Sequence, residues 1–452
     1  MSAHNGILEG NIWKQILVFF FPILIGSFFQ QLYNMVDTFV VGRYVGTHAL
    51  AAVGTTGSVI SLLVGFFVGV ASGATVLISQ HYGAGDAEKV FKAVHTAIAL
   101  SLVSGFAVML IGIFTARPIM KAMNVPDEIL DDSVLYMKVY FMGVIGNLIY
   151  NIGTGILRAV GDSKRPLYIL IVCCLVNIVL DLTFVLVLHW AVFGVAFATI
   201  LSQLISAILI IICLVRTKDI YRLTLLKVRF YLDELKEIVR IGLPSGMEGV
   251  LYSISNILMQ ASINTFSTEA IAAWSTISKV DSVMWMVMQA FGISISTFVG
   301  QNFGARQYDR VKKGIRQGTL MNFFSILVIS VIIYVFAGFF LGIFTSDQTV
   351  VRIGTGFLRI FAPAYCAYVF INVYSAAIRG CGESLQPMLI TVFGICGLRI
   401  LWLVVALPLN HTMNMVAFSY DVSWVVTAAI FIIYYLRGHW FIRCKIRQSI
   451  GK

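Results

Sequence analysis

The chain has 452 residues, 59% of them hydrophobic and 12% charged, with a formal net charge of +11 and a mean hydropathy of +0.90. A water-soluble core of this length has no need of so much apolar surface, so the expected solvent is a bilayer and a sizeable soluble domain is excluded. The positive balance then reads as a topology signal plus attraction to anionic inner-leaflet lipid, and nucleic acid is not an expected partner.

In chain order, apolar stretches long enough to cross about 30 Å of hydrocarbon as helix fall at about 12–42, 49–79, 89–115, 133–158, 166–188 and 191–215. The first holds Pro22 and the polar run Gln30-Gln31-Leu32-Tyr33-Asn34-Met35-Val36-Asp37. No small-x-small cleavage site closes it, so it is expected to be a retained helix and not a signal peptide. Gly83-Ala84-Gly85, after the second, follows no strand and opens no GxGxxG, and so reads as a tight turn, not a nucleotide loop. The hydrophilic segment 216–237 is expected to lie on the inner surface as a linker, partly as an amphipathic helix. Six more stretches follow at about 238–264, 271–300, 316–344, 351–378, 387–408 and 414–436.

The chain repeats itself. Leu157-Arg158-Ala159-Val160-Gly161-Asp162-Ser163 returns as Ile378-Arg379-Gly380-Cys381-Gly382-Glu383-Ser384 at an offset of 221, which also pairs Gln80 with Gln301 and Lys92 with Lys313. Before residue 51 the offset is 222, matching Pro22 with Pro244. Such pairing over half the chain marks a duplication. The expected architecture is all-α and polytopic: twelve transmembrane helices in two six-helix lobes, a parallel repeat about an axis along the membrane normal. Its divisions are an N-lobe at 1–215, the linker at 216–237, a C-lobe at 238–437 and a basic tail at 438–452.

Lysine and arginine crowd the segments that face inside if the N-terminus is cytoplasmic, whereas the outer loops hold only Arg43, Arg117, Lys121 and Arg352. Both termini are therefore expected in the cytoplasm, with the protein multi-pass in the cell (plasma or inner) membrane. None of the seven cysteines falls in an outer loop, so disulfides are not expected.

Ionisable residues inside spans are costly and mark pairing or function. The acids so placed are Asp37, Asp181, Glu248 and Asp281, with Asp421 near a span edge; the bases are Lys138, Lys279, Arg359 and Arg399. Lys138 and Arg359, equivalent in the repeat, are expected to snorkel outwards. Asp37 and Asp181 have Met259 and Trp402 as equivalents, so these acids belong to one half alone. Counted from the span ends, Asp37, Asp181 and Thr199 share a depth of roughly 8–12 Å, and Asn177 lies one turn before Asp181 on the same face. This oxygen set suits a hard cation such as Na⁺, or a shared proton. Packing polarity, with each acid held by a tyrosine or asparagine, is the alternative. Glu248 and Asp281 approach the midplane, where they can meet a cationic substrate or pair with Lys279 and Arg399.

The run from Pro22 to Asp37, Asn177 to Asp181, Gly194-Val195-Ala196-Phe197-Ala198-Thr199, and the two Arg-x-x-Gly-[Asp/Glu]-Ser loops together resemble the multidrug and toxic compound extrusion (MATE) family over nearly the whole chain. The resemblance implies two lobes around a cavity that opens alternately to either side, and export of drug-like, cationic, amphipathic compounds driven by inward Na⁺ or H⁺. It implies a cation site of Asp37, Asn177, Asp181 and Thr199, supporting roles for Tyr33, Tyr136 and Asn151, and a hinge at Pro22. The chain departs from many members at Tyr252, where they carry an acid, which weakens the expectation of a C-lobe cation site. No cofactor beyond the coupling ion is expected, and the protein is expected to be a monomer. The alternative function is a lipid-linked oligosaccharide flippase of a related two-lobed fold, which needs several cavity arginines or lysines for a lipid phosphate. An enzyme is not expected: neither HExxH nor Gly-x-Ser-x-Gly occurs.

Overall fold

A computed structural model describes residues 7–450, and among these no strand occurs. The first repeat runs α1 Ile12–Val45, α2 Thr47–Gly83, α3 Ala87–Ala122, α4 Asp127–Ala159, α5 Lys164–Val187 and α6 Ala191–Arg216. The second runs α7 Leu232–Ile263, α8 Thr268–Gly304, α9 Tyr308–Gly342, α10 Gln348–Gly380, α11 Leu385–Val405 and α12 Met413–Arg437. A short amphipathic α13, His439–Ile450, closes the described chain. Helices satisfy every backbone group within one segment, which a chain in hydrocarbon must do. Three of their starts carry ordinary caps: Asp86 accepts from the Lys89 amide, Ser267 from Ala270, and Asp347 from Thr349 and Val350.

Eleven of these helices are long and apolar enough to cross a membrane. The expected twelfth span, α7, is present as a helix, but glycines, serines, Glu248, Asn256 and Gln260 along it leave it less apolar than the other eleven. Of the linker at 216–237, the part before Leu232 holds a single 3₁₀ turn, Leu225–Lys227, and residues 232–237 form the charged start of α7. The linker backbone is tied down by side chains of α3: the Thr224 amide donates to His95 Nε2 at 3.0 Å and the Tyr231 amide to Thr96 Oγ1 at 3.1 Å.

The helices gather into two compact units, one spanning Phe21–Gly246 and the other joining Ile7–Phe20 to the chain from Met247 onward. These ends differ from the lobe boundaries drawn from the repeat. They cut through α1 one residue before Pro22 and through α7 two residues after Pro244. In the first unit α4 packs against α2, α3 and α6; in the second its repeat counterpart α10 packs against α8, α9 and α12. Small residues allow the close approaches. A Cβ on Gly143 would fall 2.5 Å from the Ile200 side chain, and one on Gly153 2.6 Å from Ile210.

The first half of α7 belongs to the first unit because glycines let its backbone meet that of α2. A Cβ on Gly73 would lie 2.3 Å from the Ile238 carbonyl oxygen, and one on Gly242 2.1 Å from that of Val70. The first half of α1 is held in the second unit by apolar burial: Ile16 and Phe20 are buried, and the Phe20 and Phe291 ring centroids lie 4.2 Å apart.

Candidate functional site

Three helices of the first unit bring the expected cation residues together. Measured from Val45, Val187 and Ala191, the ends of α1, α5 and α6, Asp37, Asp181 and Thr199 lie roughly 9–12 Å along their helices. Directly beyond the two acids, α1 and α5 both relax into π-helical turns, Val41–Val45 and Thr183–Val187. Such turns recur at functional sites because they re-aim side chains and loosen the local ladder.

The Asp37 and Asp181 carboxyl groups stand within hydrogen-bond reach of one another. Asn177 and Asp181 are wholly buried, with no measurable exposure, and Thr199 is buried. The Thr199 hydroxyl donates to the Val195 carbonyl at 3.0 Å, which leaves its lone pairs available. Tyr33 reaches toward Thr199 and Ser202, and Tyr136 is buried within the field of both acids. Much of the cluster is unsatisfied within the protein. Asp37 Oδ1, both Asp181 oxygens, both Asn177 amide atoms and the Tyr33 hydroxyl are buried without a hydrogen-bond partner of normal geometry. Buried polar groups are ordinarily paired, and leaving one unpaired costs about 1–3 kcal/mol.

Asn151 is not part of this group. It lies on α4 roughly 22 Å along the helix from Tyr136 at 1.5 Å per residue, and its amide nitrogen donates to Asn147 of the same helix at 2.9 and 3.0 Å. Three residues not singled out from the sequence do belong: Ser202 and Gln203, one turn after Thr199, and Tyr140, one turn after Tyr136. Gln203 Nε2 donates to the Tyr140 hydroxyl at 3.5 Å, and Tyr140 lies within the field of Asp37. The spacing of three and four residues on one helix face was the available signal.

The second unit carries nothing similar at the equivalent positions. Asp37, Asn177, Asp181 and Thr199 are replaced by Met259, Leu398, Trp402 and Tyr420. Met259 is buried, and the Trp402 indole donates to the Met415 carbonyl at 2.8 Å. Beside them Arg399 is wholly buried. Its Nε donates to Ser423 at 3.3 Å, and its guanidinium carbon sits 3.8 Å from the Tyr420 ring centroid, with Tyr252 and Trp424 at 5.6 and 5.7 Å. A π-helical turn, Val392–Gly397, immediately precedes it. A covalently held cation thus occupies the region that the first unit equips with acids.

Glu248 and Asp281 of the second unit have protein partners, whereas one oxygen of Asp421 is buried without one. Glu248 pairs with Arg379 at 2.9 Å, not with Lys279 or Arg399 as the span boundaries suggested, because α10 continues through Arg379 to Gly380. Lys279 lies over the Phe344 ring at 5.3 Å. Asp281 accepts from the Tyr365 hydroxyl at 2.5 Å and from the Trp285 indole at 2.6 Å. Arg359 is exposed over Tyr334, 5.8 Å from its ring centroid, in keeping with an interfacial place. Among the described residues, no group of three or more histidine, cysteine, aspartate and glutamate side chains could hold a metal ion.

A family model described as MatE matches the chain twice, over residues 22–183 and 244–405, each beginning at a proline. The chain belongs to the MatE family. A curated MatE relative, the "Probable multidrug resistance protein YoeA" of Bacillus subtilis (strain 168), is 30% identical over 409 residues, which cover 89% of this chain and 88% of that protein. A solved chain described as MATE in the bent conformation matches with a TM-score of 0.89 at 22% identity, over 100% of this chain and 98% of that one. Another, described as the outward-facing conformation of a multidrug resistance MATE family transporter, gives 0.87 at 23% identity, over 100% and 99%. This MatE chain is therefore a multi-pass membrane protein of the multidrug efflux transporter family, with the two-lobed all-helical fold of that family.

Proposed function

We propose that this chain exports drug-like, cationic, amphipathic compounds by alternating access, and that Na⁺ or H⁺ entering at Asp37 and Asp181 drives the cycle. The observation that carries the reading is the set of unpaired buried oxygens around the two adjoining carboxyl groups. With both acids ionised and nothing bound, the cluster holds two like charges out of water; a cation or a proton relieves that repulsion. Binding draws α1, α5 and α6 together about the ion, and the π-turns give α1 and α5 room to adjust. Pro22 interrupts the backbone ladder of α1 and offers a place for that helix to bend. Coupling follows only if the ion binds the outward-open and inward-open states with different affinity. Residues of the second unit do not supply a matching site, so the coupling ion is assigned to the first alone.

The flippase alternative finds less support. Of the two candidate cations, Lys279 lies on a phenylalanine and Arg399 is enclosed by the rings of Tyr252, Tyr420 and Trp424, so the several free cations that a lipid phosphate needs are not offered by these residues.

Proteoliposomes test the proposal. A Na⁺ gradient and a pH gradient are imposed separately, and export of a cationic fluorescent dye is followed. The expected result is transport driven by one gradient and lost in Asp37→Asn. Equal uphill transport in a normally inserted Asp37→Asn protein would overturn it.

A further inference from the structure

The two repeats end their second helices in the same turn and treat the next helix differently. In the first repeat the turn is Gly83-Ala84-Gly85-Asp86; Gly85 has φ +70°, and Asp86 caps α3 by accepting from the Lys89 amide. The cations of that helix start are balanced locally: Lys92 lies 2.5 Å from Glu88 and Lys89 3.9 Å from Asp86.

The second repeat reads Gly304-Ala305-Arg306-Gln307. Arg306 adopts φ +60° where its counterpart is glycine. A left-handed conformation costs a side-chain-bearing residue about 1–2 kcal/mol, so the arginine is kept there against backbone preference. Gln307 replaces the capping aspartate and makes no side-chain cap, so the first amides of α9 lack one. Arg310 and Lys313 then stand in the first two turns of α9, where the positive end of the helix dipole disfavours cations.

These residues line a cavity of about 750 Å³, shared with Asn11 and Trp13 at the foot of α1 and with Lys445 of α13. Among the described residues Arg306, Lys313 and Lys445 have no carboxylate partner. Lys445 is held 4.0 Å from the Tyr308 ring centroid. Arg310 is tied by its terminal nitrogens to the carbonyls of Ile7, Glu9 and Gly10 at 2.8–3.2 Å, and its Nε is buried and unpaired. Asp309 also lines the cavity, and Glu9 stands near Arg310, so acids are present but do not neutralise the cluster. Four cations, with Arg306 and Lys313 exposed, thus gather at a helix start that lacks the side-chain cap Asp86 supplies in the other repeat.

We propose that this cavity binds a phosphate-bearing anion, the headgroup of an anionic phospholipid, in the leaflet on the side of the termini. The phosphate takes the capping place at the start of α9, with Arg306, Lys313 and Lys445 around it. Trp13, half exposed at the rim, has the amphipathic ring that settles at the headgroup level of a bilayer. A headgroup seated there grips the first turn of α1, the same helix that carries Asp37.

The test uses the full chain in detergent, titrated with phosphatidylglycerol, with phosphatidylcholine and with inorganic phosphate, and read by native mass spectrometry and thermal unfolding. Wild type is expected to retain phosphatidylglycerol saturably and to unfold at a higher temperature with it, while phosphatidylcholine does neither. Arg306→Gln with Lys313→Gln should weaken retention roughly thirtyfold, at about 1 kcal/mol for each cation near an anionic surface. Lys312→Gln with Arg316→Gln removes as much charge from the same helix outside the cavity lining and should leave retention within about threefold, the scale of a context effect rather than a lost contact. Arg306→Gly restores the residue of the other repeat, keeps the turn, and should lower retention without unfolding the protein. Equal losses in both double variants, or in neither, would overturn the site. Stabilisation by inorganic phosphate equal to that by phosphatidylglycerol would overturn the lipid as its source.

Discussion

Asp181→Asn separates the cost of the cation site from its use. Asp181 is wholly buried, neither of its oxygens finds a donor, and the Asp37 carboxyl group stands within hydrogen-bond reach. A buried group left unpaired costs about 1–3 kcal/mol, and more when charged. Asparagine keeps the shape and removes the charge, so in alkaline, Na⁺-free buffer the variant should be more stable than wild type by about 1–3 kcal/mol. The coupling ion should reverse that order. An ion at a hundred times its dissociation constant stabilises a one-site protein by about 2.7 kcal/mol, and the variant forfeits most of this. The assay is thermal unfolding of purified protein against Na⁺ at fixed pH, then against pH without Na⁺. A variant less stable than wild type in the ion-free buffer, or one that keeps the whole ion-dependent rise, would refute the reasoning that these oxygens wait for a cation.

Asp281→Asn should retain ion-driven dye export in the proteoliposomes in which Asp37→Asn loses it, because Asp281 is already held by Tyr365 and Trp285; loss in both would move coupling into the second unit. Glu248→Gln and Arg379→Gln should each destabilise by about 1–3 kcal/mol, less than a fully buried pair costs because both groups keep some exposure. The double variant should recover part of that loss, and strict additivity in denaturant or thermal unfolding would deny the pairing. Gly73→Ala sets a methyl group 2.3 Å from the Ile238 carbonyl oxygen, where only a shift of α7 relieves it, so a loss of about 1–3 kcal/mol or more is expected; unchanged thermal stability would mean that α2 and α7 do not approach so closely.

Much of this was legible in the chain because hydrocarbon punishes stray charge. Asp37 and Asp181 stood out as acids in apolar runs without equivalents in the other half, and helix spacing tied Asn177 and Thr199 to them. The spans followed from apolar length, α7 among them at 238–264, although it is less apolar than the other eleven. Asn151 stands apart from the acids along α4, a position that the family likeness does not give. The partner of Glu248 was missed because Arg379 looked like a loop residue until α10 proved to continue through it. The exchange of half-helices left no mark at all. Gly69, Gly73, Gly242 and Gly246 are ordinary glycines in a chain that has 38, and only the approach of two backbones gives them meaning.

That exchange bears on how the protein is made. Synthesis from the N-terminus delivers the first half of α1 long before α8 exists, although Phe20 is destined to stack on Phe291. The first unit, for its part, is incomplete until the chain has passed the linker and reached Gly246. The first unit can close only once Gly246 has been made, and the first half of α1 must wait in the membrane unmatched until α8 follows. Two genes cut at the linker would each encode a half missing one segment and carrying another without a home. Such halves should mature only when expressed together.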